Sequence, residues 1–409
     1  MVRIFIAIFF ISCQHNSKSL IDLARMDVNI DDSDIKSITV DSSNAIILSE
    51  KEAKEVMDFG MFIDSIEYIP LETRNDILIG EINRMALHND RFYLLDKYTA
   101  KAIFIFDKTG KHINTISAFG RGPNEYISPK SISVDKFNNE LILVDSNDYS
   151  LLYYDLDGNF KRKEQCGIRF SDVLRITKED FLIYTGTYWN IHKPEIDKYR
   201  IAIGNPSGQL KWRGLFKDEF YYNLDNVGHK HVHEYGQNIL ITPPYTNTII
   251  QINSDGSSLL RYQFIFENGN PDLYRNINIT NFSSELASTN AMFFDGNLAE
   301  TDDHLLAMIG KSGQVLFFIY DKHLNKSFIA TYLVTSGRIL GDMTPLFTKG
   351  HSIYSIVTPY RIHSMNNLAK GETGIAHKNW QLPKALENVK EDDNPVIVRY
   401  TLSCQMINK

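Results

Sequence analysis

Apolar residues fall along the chain in short runs, each closed by Asp or Gly and separated by short polar stretches. Two segments carry the pattern most clearly. They are YLLDKYTAKAIFIFDKTGKHINTI, from Tyr93 to Ile116, and LILVDSNDYSLLYYDLDGNFKRKE, from Leu141 to Glu164. Each contains an apolar strand ending in Asp (Asp96, Asp145), a polar loop and a second apolar strand. An Asp-x-x-Gly turn then leads into a strand of alternating polarity. Ile, Leu, Tyr and Phe suit a pleated, half-buried surface. Gly110 and Gly158 supply the positive φ that a tight hairpin needs.

The turn recurs. Its first residues are Asp107, Asp155, Asn205 and Asn253, spaced 48, 50 and 48 apart, and a fifth copy at Asp321 lies 68 further on. A period near 50 with about four strands per copy predicts an all-β fold, a β-propeller. A set of β-sandwich domains would not repeat one turn so regularly. Blade kernels begin near Arg91, Glu140, Asp180, Gln237, Asp303 and His351, which makes six blades. The last copy lacks a strand. The orphan segment Phe62 to Pro70 is expected to supply it, closing the ring by pairing the N-terminal strand into the last blade. The propeller then spans 61–409, with insertions near 267–288 and 362–393. In the second insertion, Leu382, Leu386 and Val389 place one face of a short helix against the ring. Residues 13–60 are polar and irregular, a tether that ends packed on the ring edge.

The chain of 409 residues is 43% hydrophobic and 12% aromatic, which excludes a disordered chain. No run approaches the roughly 18 apolar residues of a membrane span. The net charge of −7 and scattered basic residues argue against a nucleic-acid partner. The start has the layout of an export signal over 1–12: Arg3, the apolar run Ile4 to Ile11, then Ser12-Cys13. A small residue before the cysteine resembles a bacterial lipobox, making Cys13 the expected lipidated residue. The membrane is then engaged through that anchor alone. Cys166 and Cys404 end strand-like runs, read as buried small apolar residues, and have no Cys or His at metal-ligand spacing.

The stretch FGRGPNEYISPKSISVDKFNNELILVDSNDYSLLYYDLDGNFK, from Phe119 to Lys161, resembles an NHL-type propeller repeat. With Ile69-Pro-Leu-Glu-Thr73 and the lipobox-like start, the whole is similar to the six-bladed propeller lipoproteins of Bacteroidetes. That resemblance implies fold and an outer-membrane envelope location, and no particular chemistry. Gln14 to Ser19 carries no acidic residue after Cys13, which favours the periplasmic side over surface display.

Strand alternation sorts the loops by face. Blade-to-blade connections share one face with the loops joining second and third strands, and the Asp-x-x-Gly turns lie on the other. The long-loop face carries the candidate ligand-binding residues Arg121, Tyr188, Trp189, His192, Tyr222, Tyr245, Arg338, Tyr360 and Arg361. Aromatic and Arg residues on long loops round an axis suit a glycan, a peptide or an envelope protein. The bland readings are that Gly120 to Tyr126 is a structural crossover, that Thr242-Pro-Pro-Tyr245 is turn geometry, and that Asp96 and Asp145 cap their own turns. His229 and His231 are weak metal candidates, set against a solvated channel lining. No cofactor is expected, and the chain reads as a monomer. The expected role is a non-catalytic binding or scaffold module. The alternative is a propeller hydrolase or lyase acting on carbohydrate, which needs carboxylates or His from several blades to meet at the channel mouth.

Overall fold

The computed structural model describes residues 34–49, 54–186, 188–207, 209–217, 230–266, 269, 282–335, 341–370 and 382–404. The chain opens with four short strands, β1 (Lys36–Ile38), β2 (Val40–Asp41), β3 (Ile46–Ser49) and β4 (Lys54–Asp58), followed by β5 (Ile63–Pro70). Blade one then comprises β6 (Arg84–His88), β7 (Arg91–Asp96), β8 (Ala102–Asp107) and β9 (His112–Ile116). Blade two comprises β10 (Pro129–Asp135), β11 (Glu140–Asp145), β12 (Ser150–Asp155) and β13 (Phe160–Gln165). Blade three is built of β14 (Asp172–Arg175), β15 (Phe181–Tyr184), β16 (Tyr199–Asn205) and β17 (Gln209–Phe216). Blade four holds β18 (Val232–Tyr235), β19 (Asn238–Ile241), β20 (Thr248–Ile252) and β21 (Ser258–Ile265). Blade five holds β22 (Met292–Glu300), β23 (His304–Lys311), β24 (Gln314–Asp321) and β25 (Lys326–Val334). Blade six has β26 (Phe347–Lys349), β27 (Ser352–Val357) and β28 (Val396–Leu402), with β5 as its outer strand. The protein is a six-bladed β-propeller.

Burial explains the sequence pattern. The middle strands face a neighbouring blade on both sides, so β11 (ELILVD) is buried throughout and β12 (SLLYYD) buries all but its last residue. The outer strand β13 (FKRKEQ) buries none of its residues fully. Hydrophobic clusters lie in the seams between blades. Tyr93, Leu95 and Ile105 of blade one, for example, pack against Leu141, Leu143 and Tyr154 of blade two. The repeat extends to a defect, because the pairing of third and fourth strands slips just before the turn in blades one to three and two residues earlier in blade four. The slips are Ile105/Phe106, Tyr153/Tyr154, Ile203/Gly204 and Ile249/Ile250.

The ring closes as expected. Strand β28 pairs with β5 from Val396↔Pro70 to Leu402↔Ile63. Phe59 and Phe62, both fully buried, flank the seam. Phe59 meets Tyr400 at 6.2 Å and Phe62 meets Phe328 at 5.4 Å between ring centroids.

Two segments depart from expectation. The stretch before the ring, read as irregular, runs along the rim as extra parallel strands. Strand β1 pairs with β17, β2 and β3 pair with β21, and β4 pairs with β25. Apart from the two-residue β2, each buries one apolar anchor, namely Ile38, Leu48 or Met57. An edge already present supplies the hydrogen bonds, so no amphipathic period is required. In the blade-six insertion the helix forms earlier than expected, as Pro359–Lys370. It is the longest of three described helices, α1 (Pro194–Asp197), α2 (Phe282–Ser288) and α3 (Pro359–Lys370). Near the expected position there is one 3-10 turn, Lys384–Leu386, and Leu382, Leu386 and Val389 pack on the seam of blades five and six. Among the described residues no helix is long and apolar enough to cross a membrane.

Candidate functional site: the loop face and channel mouth

Antiparallel pairing within each blade places the loops between second and third strands on one face, with the connections between blades. Asp96, at the end of β7, ties the two together. One carboxylate oxygen accepts from the Tyr98 and Thr99 amides (3.1 and 2.9 Å), the other from Gly80 and Glu81 (2.8 and 3.2 Å). Asp145 does the same for Asn147, Ile127 and Ser128. Both cap their turns, and they also pin the entering connection, a role the local sequence did not reveal.

Arg121 is exposed on the crossover from blade one to blade two. That crossover is internally braced. The buried Tyr126 hydroxyl donates to Lys101 O (2.7 Å) and Ile116 O (3.1 Å), and Glu125 accepts from the Gly122 amide. The blade-three loop is also built rather than loose. Buried Asn190 accepts from the Arg169 amide at 2.7 Å and donates back to the Arg169 carbonyl. Trp189 is 49% exposed beside it. Tyr188 meets Tyr149 edge-on at 6.3 Å, and the Arg169 guanidinium lies 4.8 Å over Tyr149. His192 donates to Gly167 O at 3.2 Å, and burial pushes its imidazole below the ordinary value.

Three ligand-binding candidates need correction. Tyr245 is only 7% exposed and packs on Phe293 at 5.7 Å, so it belongs to the seam of blades four and five. Tyr360 (77% exposed) and Arg361 stand in the first turn of α3, not on an irregular loop, because Pro359 opens that helix. Arg361 lies 3.7 Å from Asp342. Tyr222, Arg338, His229 and Cys13 lie outside the described residues. His231 does not line a solvated channel. It is buried, its Nδ1 donates to Thr242 O at 2.9 Å, and its ring lies 5.5 Å from Tyr184.

The feature missed from sequence lies where the inner strands begin. Arg84, Lys130, Asp172 and Lys230 stand at or just before the inner strands of blades one to four, and Lys97 follows β7. Their charges act on one another. Burial, then Arg84 and Lys130, bring the Lys97 ammonium down to about 7 from 10.5, with Asp172 and Glu81 opposing. Burial also lowers Lys230 and Arg84, each partly offset by Asp172. Asp172 is itself held by a 2.7 Å hydrogen bond from Ser131. Arg84, Lys97 and Lys230 thus each feel the buried Asp172, and Lys130 adds a fourth positive charge, at the loop-face end of the axis. Each is a lone basic residue in its own stretch; only superposing the repeats would have shown that they share a level.

The fold and this entrance define a six-bladed propeller with a basic channel mouth. The chain belongs to the family described as "Domain of unknown function (DUF4934)", whose model matches residues 40–401. It is similar to a Bacteroides fragilis protein described as a "Putative exported protein", at 17% identity and a TM-score of 0.70. That match covers 88% of this chain and 100% of that one. A Bacteroides vulgatus member of the duf4221 family is similar at 11% identity and a TM-score of 0.45, covering 83% and 97%. No curated protein matches the chain. The likeness to the B. fragilis protein concerns the fold, and with the family match it agrees with the Bacteroidetes propeller resemblance drawn from the motifs.

Proposed function

We propose that the protein is a non-catalytic binding module of the bacterial envelope, anchored by lipid at Cys13 on the periplasmic side. Its ligand is an acidic glycan bearing carboxylate or sulfate groups. The cluster of Arg84, Lys97, Lys130 and Lys230 around Asp172 carries this reading. Cations concentrated at a concave, partly dehydrated mouth attract anions even on a protein whose net charge is −7. Trp189 and Tyr188, on the same face, offer flat surfaces suited to sugar rings.

A glycan array that includes uronate-containing, sulfated and neutral oligosaccharides, with acidic peptides alongside, tests the ligand class. Binding is expected to be confined to acidic glycans and to fall at least ~10-fold in the Lys97→Met/Lys130→Met double variant. Equal binding of neutral glycans, preference for the peptides, or indifference to the double substitution would overturn it. Labelling with a palmitate analogue tests the anchor: label is expected on the wild type and absent from Cys13→Ala. Label that persists in the variant contradicts lipidation at that residue.

A further inference from the structure

The turn face carries a constellation that the anion reading does not use. Asp303, in the turn between β22 and β23, is buried and sits between two imidazoles. One carboxylate oxygen is 2.6 Å from His323 Nε2, the other 2.6 Å from His351 Nδ1. His323 belongs to the turn between β24 and β25, and His351 to the turn between β26 and β27. Cys404 follows β28. It was expected to be buried, yet it is exposed, because β28 ends at Leu402 and the chain then leaves the sheet. Ligand atoms of Asp303, His351 and Cys404 all lie within 4.8 Å of one another.

We propose that Asp303, His351 and Cys404 form a zinc site that clasps blade five to blade six where the ring closes, with His323 holding Asp303 as an outer partner. The donor set is one thiolate, one imidazole and one carboxylate, with water as the fourth ligand, which suits Zn²⁺ and not Ca²⁺ or Mg²⁺. Two anionic ligands neutralise the ion, so the buried carboxylate keeps its charge without cost from an unmatched partner. Tetrahedral zinc sets ligand atoms roughly 3.4–3.6 Å apart. The 2.6 Å contact between Asp303 and His351 therefore opens by about an ångström, and the sulfur, within 4.8 Å of both, closes in. The frame is already ordered. The Lys322 amide donates to Asp303 O at 2.9 Å, and the Thr301 and His304 backbones are bonded across the turn at 2.9 Å. Asp321 accepts from the His323 amide at 2.9 Å. Asp302, 3.6 Å from His351 Nε2, is placed to act as an outer partner of the ring. His323 and His351 are about half exposed, which leaves the ion a way in.

The location gives the site its consequence. The Ser403 amide donates to Phe62 O at 2.9 Å, so Cys404 hangs directly from the seam where the two ends of the propeller meet. A metal bound only in the folded state stabilises that seam.

The test uses the full chain, purified without a polyhistidine tag, stripped with a chelator and titrated with Zn²⁺ or Co²⁺. One equivalent is expected to bind, with a rise in melting temperature. The cobalt form is expected to show tetrahedral d–d bands and a thiolate-to-metal charge-transfer band. Cys404→Ser should abolish that band, and His351→Ala should weaken zinc at least ~100-fold. Cys166→Ser, in the buried seam of blades two and three, should change neither. Sub-stoichiometric binding, a cobalt spectrum without the thiolate band, or an unchanged Cys404→Ser protein would overturn the proposal. The last two outcomes would place any bound metal elsewhere, such as on the His229–His233 stretch.

Discussion

The two faces of the ring handle charge in opposite ways. On the turn face, three buried carboxylates have close cationic partners. Glu300, fully buried, accepts from Arg261 (2.6 Å), Lys322 (2.7 Å) and the Tyr262 hydroxyl (2.8 Å). Asp135 is held by Arg175 at 2.9 Å, and Glu140 by Arg162 and Lys161 at 2.7 Å. At the loop-face mouth, cations outnumber carboxylates among the described residues, and burial has lowered Lys97 towards neutrality. Compensated charge holds a fold together; charge crowded with its own sign at an opening is suited to a partner that brings the opposite sign. Aromatic content alone would not have separated the faces, since Tyr245 lies on the loop face and is buried.

Removing a charge should therefore have opposite effects on the two faces. The largest effect is expected for Glu300→Gln, which leaves Arg261 and Lys322 partly buried without their carboxylate. Urea unfolding should show a loss of about 3–5 kcal/mol, and a loss below 1 kcal/mol would break the comparison. Phe62→Ala, at the closure, should cost a similar ~3–5 kcal/mol through the cavity it leaves.

Lys97→Met should instead stabilise. With its pKa lowered from 10.5 to about 7, the folded protein resists a proton that the unfolded chain keeps. The penalty is full below pH 7 and fades as pH rises towards 10.5. The variant should gain on the order of 2 kcal/mol over wild type at pH 6 and progressively less above pH 7. A gain that grows with pH would show that Lys97 is not the group responsible. The smallest effect is expected for Trp189→Ala, whose half-exposed ring should change stability by less than about 0.5 kcal/mol while weakening ligand binding.

Much of the fold could be read in the chain because the repeat writes itself into short-range pattern. Gly110 shows why the turn is conserved from blade to blade. Its φ is +86°, and an added Cβ would sit 2.1 Å from Pro70 O on the neighbouring blade. The closing strand was legible as a strand without a partner. The rim strands were not, since β1 to β4 are two to five residues long and lean on edges already made. Helix α3 was hidden because Thr358-Pro-Tyr360 copies the turn at Thr242 while Pro359 starts a helix. The cationic mouth and the Asp303 cluster were hidden for one reason. Each gathers residues from several blades, and no single stretch holds two of them at a telling spacing.

The channel mouth is proposed to take an anion, and the pH dependence of binding tests this. Calorimetric titration of the full chain with an oligogalacturonate, from pH 6 to pH 9, should show affinity falling by up to about tenfold per pH unit above pH 7, as Lys97 loses the proton that the anion requires. The slope should flatten in Lys97→Met. Affinity that is flat across this range in the wild type, or a slope that survives the substitution, would contradict the account.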